Sequence, residues 1–507
     1  MNSSQDKSAP PSVSLLEAFV PVLALIALLV TSVWLFGDSA SGGPNQIALI
    51  LASFVGVLMA MGRGVSWKTL ENAILENINV AMQAILILLL IGALIGAWVL
   101  GGVVPTLVVW GLKLISPSLF LFSACIVCSI VSLASGSSWS TAGTVGVAFI
   151  GMGKAMGLPM GPVAGAVICG AYFGDKMSPL SETTNLAPSV AGTDLFVHIR
   201  HMAWTTVPAM IVTLLFFLIY GFMLPAENFS AERIARVTLA VNQRFDTSPA
   251  MLLPPIIVLV MVVRKVPVIP TLLTGCLLGV FCGVVFQSPA VENLAGAAVG
   301  AGAGGDPYVE SSIRAAFLSA SSGFTAKDAT KEMADLLNRG GMASMLSTVW
   351  LILSAMFFGG VLQGAGMLQR IAAAVLFMAR TTGLLIHATI KSCFFVNLTA
   401  SDQYLSLVIT GRMYREAYEA RELDARNLSR ALEDGGTLTS PLIPWNTCGA
   451  FMSSALGVAT LTYAPWCLLN WLTPIVSTVY GYTGWTIVHA SESQSSASAD
   501  HLHQTQK

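Results

Sequence analysis

Four short segments hold most of the side chains that could do chemistry in an otherwise apolar chain. The first, Ser135-Gly-Ser-Ser-Trp-Ser-Thr141, packs hydroxyls and a glycine between two apolar runs. The second, Gly174-Asp-Lys-Met-Ser-Pro-Leu-Ser-Glu-Thr-Thr-Asn-Leu-Ala-Pro188, joins Asp175 and Glu182 to hydroxyls, an amide and two prolines. The third is Asn397-Leu-Thr-Ala-Ser-Asp-Gln-Tyr404. The fourth is the charged run Arg412–Asp434 with the break that follows it, Gly436–Thr447. Hydroxyls, amides and freed carbonyls are the ligands a hard cation takes in place of water. A carboxylate in such a shell exchanges the cation for a proton when its surroundings tune it. Proline supplies the freed carbonyls by interrupting a helix.

The elements that must position these segments follow from composition. Only 10% of the 507 residues are Asp, Glu, Lys or Arg, and 55% are hydrophobic. A soluble protein carries about 25% charge, so the chain is too poorly charged to clothe several soluble domains or to be disordered. Lipid must solvate most of its surface. The formal net charge of −1 leaves no basic stripe for nucleic acid. Cys125 and Cys128 have CxxC spacing inside an apolar run and read as small buried hydrophobes. No HExxH, GxSxG or P-loop pattern supports an enzyme. The run from Ala18 to Phe36 is too long for a signal peptide core and lacks a cleavage site, so it reads as a retained helix.

A span needs about 20 apolar residues, and the runs along the chain predict about 10–12 transmembrane helices with partial, re-entrant segments between them. Two stretches, 66–78 and 324–339, read as amphipathic surface helices. Residues 1–14 form a polar tail, 15–224 a first transmembrane repeat, 225–248 a linker, 249–488 a second repeat and 489–507 a disordered tail. The halves echo each other: Gly64–Lys68 answers Gly323–Lys327, Ser135–Ser138 answers Thr399–Asp402, and Ser178-Pro-Leu180 answers Ser440-Pro-Leu442, at offsets of 259, 264 and 262 residues. An odd number of spans per half would insert them with opposite topology. The expected fold class is therefore an all-α polytopic membrane protein of two inverted-topology repeats, with discontinuous helices and re-entrant hairpins. Lys and Arg in the short loops at Arg63, Lys68, Arg264 and Lys265 favour a cytoplasmic N-terminus, while Arg233, Arg236 and Arg244 of the linker count against it.

Within this frame Asp175 is the leading carboxylate, and Asp402, aligned with Ser138, is costly between apolar neighbours unless it serves a site or caps a helix. Lys176 reads as a partner of Asp175 or Glu182, or as a snorkelling cation. Most of the 412–434 run reads as a solvated helix face. Its end, Arg430, Glu433 and Asp434, aligns with apolar Ile168, Ala171 and Tyr172, which predicts an interior position with Arg430 bonding Glu433 or Asp434. His198 and His201 read as an interfacial basic anchor.

The stretches GSSWSTAGTVGVA (136–148), GDKMSPLSETTNLAP (174–188), TASDQYLSLVITGRMYREAY (399–418) and LSRALEDGGTLTSPLIPWNTCGAF (428–451) resemble the NhaC-type sodium/proton antiporter family of the ion transporter superfamily. The resemblance runs over nearly all of residues 15–485. It implies a multi-pass carrier of the bacterial inner membrane, without a cofactor, that expels sodium against protons and is compatible with a homodimer. It further implies a first-half site from Ser137, Ser138, Asp175, Thr183, Thr184 and Asn185, and a second-half site from Asn397, Thr399, Asp402, Thr439, Asn446 and Thr447, with Asp175 and Asp402 holding sodium. Related carriers exchange malate and protons for sodium and lactate, so an organic acid exchanger using Lys176 or Arg430 is the alternative. A channel or membrane enzyme is the reading from another class.

Overall fold

In the computed structural model the described residues are 13–490, apart from 37–41, 115, 225–230, 265, 297–306, 327–333 and 335–336. Among them the chain is helical almost throughout, and its β-pairing is limited to two single bridges, Phe324 with Arg339 and Leu423 with His489. Seven helices are long and apolar enough to cross a membrane: Leu15–Phe36, Pro44–Gly62, Trp67–Leu100, Pro117–Ser135, Leu195–Met223, Val268–Phe286 and Met342–Gly364. Shorter apolar helices add Val103–Lys113, Pro249–Val263 and Met367–Phe377. Large apolar side chains point outward along these elements. Trp34 is 81% exposed, Leu277 70% and Phe377 84%. Exposure on that scale across many helices suits lipid and not water. The chain is a polytopic α-helical membrane protein.

The 1–14 and 489–507 tails fall largely outside the described residues, as does most of the amphipathic stretch at 324–339, whereas most of the 225–248 linker is described. Residues 231–242 of the linker do form a helix. The stretch at 66–78 corrects the expectation of a separate surface helix. Ser66 caps a single helix from Trp67 to Leu100 by accepting from the Thr69 amide at 3.2 Å. No proline or glycine separates its amphipathic start from the apolar run that follows, so one helix of about 50 Å forms. Leu70, Ile74 and Asn77 give its first turns a buried face.

Inside this shell lies Met160–Met177, buried around its whole circumference, as an apolar helix surrounded by protein must be. It runs against Phe120–Ser135 with backbone nearly touching backbone. A Cβ on Gly170 would stand 2.2 Å from the Cys125 carbonyl, and one on Gly174 would stand 2.4 Å from the Leu133 nitrogen. Cys125 and Cys128 are buried in this seam as free thiols. Glycine at these two positions sets the distance between the two helices that carry Asp175 and the first hydroxyl-rich break.

Replacing Gly170 by Val forces that seam apart. Overpacking of this kind costs about 1–3 kcal/mol, and Gly170→Val is expected to lower the melting temperature of detergent-solubilised protein. Gly62→Ala, with nothing within 4 Å of the added methyl group, is expected to leave it unchanged. Differential scanning fluorimetry of the two variants checks the contrast.

Candidate functional site

Both halves break a helix in the same way. After Phe120–Ser135 the chain turns through Gly136 in the left-handed region (φ 68°), then extends at Ser137, whose hydroxyl accepts from the Ser140 amide at 3.2 Å to start Ser138–Thr141. After Thr382–Thr399 it turns through Ser401, also left-handed (φ 60°), then extends at Asp402. The Asp402 Oδ1 atom accepts from the amides of Tyr404 (2.9 Å) and Leu405 (3.2 Å) to start Gln403–Glu419. Asp402 is thus both a helix cap and a cavity wall. The backbone pairs it with Ser137 and not, as the sequence alignment had it, with Ser138. A turn needs its left-handed residue and its cap at fixed places, and that geometry shifts the register by one.

The second pair of breaks follows the prolines. Ser178, before Pro179, leaves the helical region, and Ser181 restarts the chain as the cap of Glu182–Ala191. In the other half Ala425–Leu432 widens into a π-turn at Glu433–Thr437, narrows at Ser440–Leu442, and restarts at Thr447–Leu456 under an Asn446 cap. Another π-turn, Ala142–Gly146, follows the first break. Such turns concentrate at functional sites.

These breaks converge on one cavity of about 330 Å³. Ser137, Ser138, Asp175, Glu182, Thr183, Asp402 and Thr447 all line it, so predicted residues from both halves share a single space. Asp175 Oδ2 accepts from the Ser138 hydroxyl at 2.6 Å and the Ser138 amide at 3.2 Å. Asp402 Oδ2 accepts from the Thr447 hydroxyl at 3.0 Å. The Tyr404 hydroxyl donates to Glu182 at 2.6 Å across the halves. Among the described residues no Lys, Arg or His lines the cavity.

The remaining predicted residues hold the walls. Thr184 donates to the carbonyls of Asp175 (3.2 Å) and Lys176 (3.0 Å). Asn185, on the outside of the turn, donates to Pro179 and Ser181 carbonyls. Asn397 donates to the Gly436 carbonyl (2.6 Å) and to Thr439 (3.0 Å), and Asn446 donates to Asn397. Thr399 bonds its own helix at Phe395. Gln83, Trp139, Ser181, Gln403 and Tyr404 line the cavity but were not singled out from the sequence. Gln83 carried a usable signal, a lone amide within an apolar run.

Beside the cavity lies a buried charge cluster that corrects three expectations. Lys176 pairs with Asp434, not with Asp175 or Glu182, and both members are fully buried. Adjacent helix residues face different directions, so Asp175 looks toward Ser138 while Lys176 crosses to the other half. Thr205 donates to the same Asp434 oxygen at 3.3 Å. Arg430 bonds Thr486 at 2.8 Å and neither Glu433 nor Asp434, because the π-turn after Leu432 rotates those carboxylates off its helical spacing. Glu433 is fully buried in the same cluster. His198 and His201 are buried, not interfacial: Asp194 caps their helix so that its first turns pack on Ala425–Leu432, with His198 bonded to Ser429 at 2.8 Å.

Residues 170–485 match the model of the Na+/H+ antiporter family. The chain belongs to that family. Similarity to individual members extends further than the matched span. The chain is 37% identical over 463 residues to the malate-2H+/Na+-lactate antiporter of Bacillus subtilis, covering 91% of this chain and 93% of that one. It is 38% identical to the Na+/H+ antiporter NhaC of the same organism, covering 86% and 92%. It is 36% identical to NhaC of Alkalihalophilus pseudofirmus, covering 87% and 90%. The resemblance seen in the motifs is therefore a true membership, and the chain is a transporter of this family.

Removing one partner of a buried ion pair strands the other, at a cost of about 3–5 kcal/mol. Lys176→Ala and Asp434→Ala are each expected to lower stability by this order. The double variant Lys176→Met/Asp434→Leu is expected to recover most of it. Thermal unfolding of the purified singles and double measures the coupling.

Proposed function

We propose that this family member exports sodium across the bacterial inner membrane in exchange for protons by alternating access. The observation that carries the reading is the single cavity where two broken helices each present a buried carboxylate, Asp175 and Asp402, among hydroxyls. A hard cation finds oxygen ligands there. A carboxylate that has bound a proton has lost the charge that attracts sodium, so the two substrates compete for one place. That competition couples their fluxes without covalent chemistry or a cofactor. Thr447, Ser137, Ser138 and Thr183 supply neutral oxygens around the charges.

The same reading takes residues 15–224 and 249–488 as inverted repeats, which the matched caps at Ser137 and Asp402 and at Ser181 and Asn446 support. It takes the N-terminus as cytoplasmic, from the basic short loops, and allows a homodimer. An organic acid would meet three carboxylates in the cavity and no basic side chain among the described lining. Lys176 is engaged by Asp434, and Arg430 lies outside the lining. The charge of the site therefore favours cation exchange over the malate and lactate exchange of the Bacillus subtilis relative.

Asp175→Asn and Asp402→Asn each keep the shape of the side chain, and Asn still caps a helix. Each is expected to reduce sodium-driven proton flux in everted vesicles to background while leaving the protein in the membrane at normal abundance. Near-normal flux in either variant removes that carboxylate from the site. In the unaltered protein the half-saturating sodium concentration is expected to rise about tenfold for each unit fall in pH where one proton competes. An unchanged value over two pH units argues against a shared carboxylate.

A further inference from the structure

A second cavity, of about 240 Å³, lies behind the first break. That is roughly eight times the liquid share of one water molecule, in an interior where voids larger than a water are few. Its outer wall is the short helix Pro249–Val263, through Pro255, Ile256 and Leu259, with the start of Val268–Phe286. Its inner wall is the broken segment itself, through Ser135, Ser140, Thr141 and Thr144. The threonine hydroxyls around the space are spent on backbone. Thr141 donates to the Ser137 carbonyl at 3.0 Å, Thr144 to the Ser140 carbonyl at 2.6 Å and Thr271 to the Pro267 carbonyl at 3.0 Å. The indole of Trp98, on another side of the space, donates to the Gly275 carbonyl at 3.0 Å. Among the described lining residues there is no carboxylate, lysine, arginine or histidine. A buried water needs two or more polar partners and finds few here, so the space takes hydrocarbon and not water.

The hydrocarbon on hand is lipid. Ile256 and Leu259 line the cavity and are also 53% and 38% exposed, so the space opens onto the surface that faces the bilayer. Ile130, beside the lining residue Val131, is exposed as well. Pro249–Val263 is about 22 Å long at 1.5 Å per residue, against a hydrocarbon core of about 30 Å. It cannot shield the seam beside Phe120–Ser135 along the full depth of the bilayer. We propose that one acyl chain of a membrane phospholipid enters between Phe120–Ser135 and Pro249–Val263 and fills this cavity as a structural part of the first break. Leaving the bilayer gains the chain no hydrophobic free energy, because lipid tails are as apolar as the wall. It gains the dispersion contacts that an unfilled space forfeits. The chain also bears on the ion cavity. Ser135 and Val268 line both spaces. Ser135 accepts from the Ser137 amide at 3.2 Å, one residue before the Ser138 that holds Asp175. A filled cavity backs the break and keeps Ser138 on Asp175. The lipid site goes beyond the proposed exchange and does not depend on which ion is carried; only its effect on flux does.

A phospholipid with a photoactivatable diazirine in its acyl chain is the probe, used on the full chain in proteoliposomes. Irradiation is expected to label Trp98 and Ala148, which line the cavity and are only 3% and 4% exposed, as well as lipid-facing Leu277. Peptide mass spectrometry locates the labels. Ala148→Phe fills the cavity, and Ile256→Trp narrows its mouth from an exposed position. Each is expected to abolish labelling of Trp98 and to leave that of Leu277 unchanged. Flux is the second readout. Methyl-branched diphytanoyl chains are too wide for the seam, so the unaltered protein is expected to lose about fivefold in sodium-driven flux relative to straight-chain dioleoyl lipid, the low end of coupling between sites. Ala148→Phe is expected to carry equal flux in both lipids, whereas a bulk bilayer effect moves both proteins alike. Labels confined to lipid-facing residues such as Leu277 overturn the lipid site. So does Trp98 labelling that both variants leave intact. Trp98 labelling that falls as the protein-to-lipid ratio rises assigns the cavity to a second copy of the chain and likewise overturns it. Variant-sensitive labelling with the same flux loss in Ala148→Phe, or with none in the unaltered protein, supports the lipid site and overturns its tie to the ion cavity. Variant-sensitive labelling with no sodium-driven flux in either lipid supports the lipid site and overturns sodium exchange.

Discussion

Interrupting a helix inside a bilayer strands backbone donors and acceptors where no water can take them. Everything at the centre of this protein answers that constraint. Ser137, Ser181, Asp402 and Asn446 each cap the restarted helix with a side-chain oxygen. Asn397 and Thr184 take carbonyls that the breaks release. Ser401 accepts a left-handed backbone that costs a non-glycine residue about 1–2 kcal/mol, and its carbonyl is held by the Thr447 amide at 2.9 Å. The polar groups required to satisfy broken backbone are the same groups that create a polar cavity. Structural need and ion chemistry draw on one set of residues.

The hydrogen bonds of the cavity also tie the broken helices to one another. Asp175 with Ser138 joins the end of one helix to the first break. Asp402 with Thr447 joins the break before Gln403–Glu419 to the start of Thr447–Leu456. Tyr404 with Glu182 and Lys176 with Asp434 bind one half to the other. An occupant that takes a carboxylate away from its partner changes the balance of these contacts. In the proposed exchange cycle this supplies the differential interaction that ligand-driven conformational change requires. The Lys176–Asp434 pair lies outside the cavity lining and is a buried charged tie between the halves.

Much of the centre was legible from the chain alone, for reasons that differ by residue. Asp175 and Asp402 stood out because charge is expensive between apolar runs, and both line the cavity. Ser178-Pro-Leu180 and Ser440-Pro-Leu442 marked breaks because proline cannot continue a helix. Partnerships were less legible. Lys176 was assigned to neighbours in sequence, yet its partner lies in the other half. His198 and His201 read as surface residues because the helix covering them was not visible in their own segment. Trp139 and Tyr404 sat within quoted motifs but carry no charge, so nothing local separated them from packing.

Sequence by itself determined the solvent, the helical class, the family and the positions of the breaks. Those follow from composition, periodicity, proline and motif, which act locally along the chain. Only the tertiary structure decided that the polar segments of both halves open onto one cavity, that Asp402 matches Ser137 in register, and that Lys176 reaches Asp434. These depend on how close two backbones approach and which way each helix face turns. Such quantities are set by packing among elements hundreds of residues apart, and no local pattern encodes them.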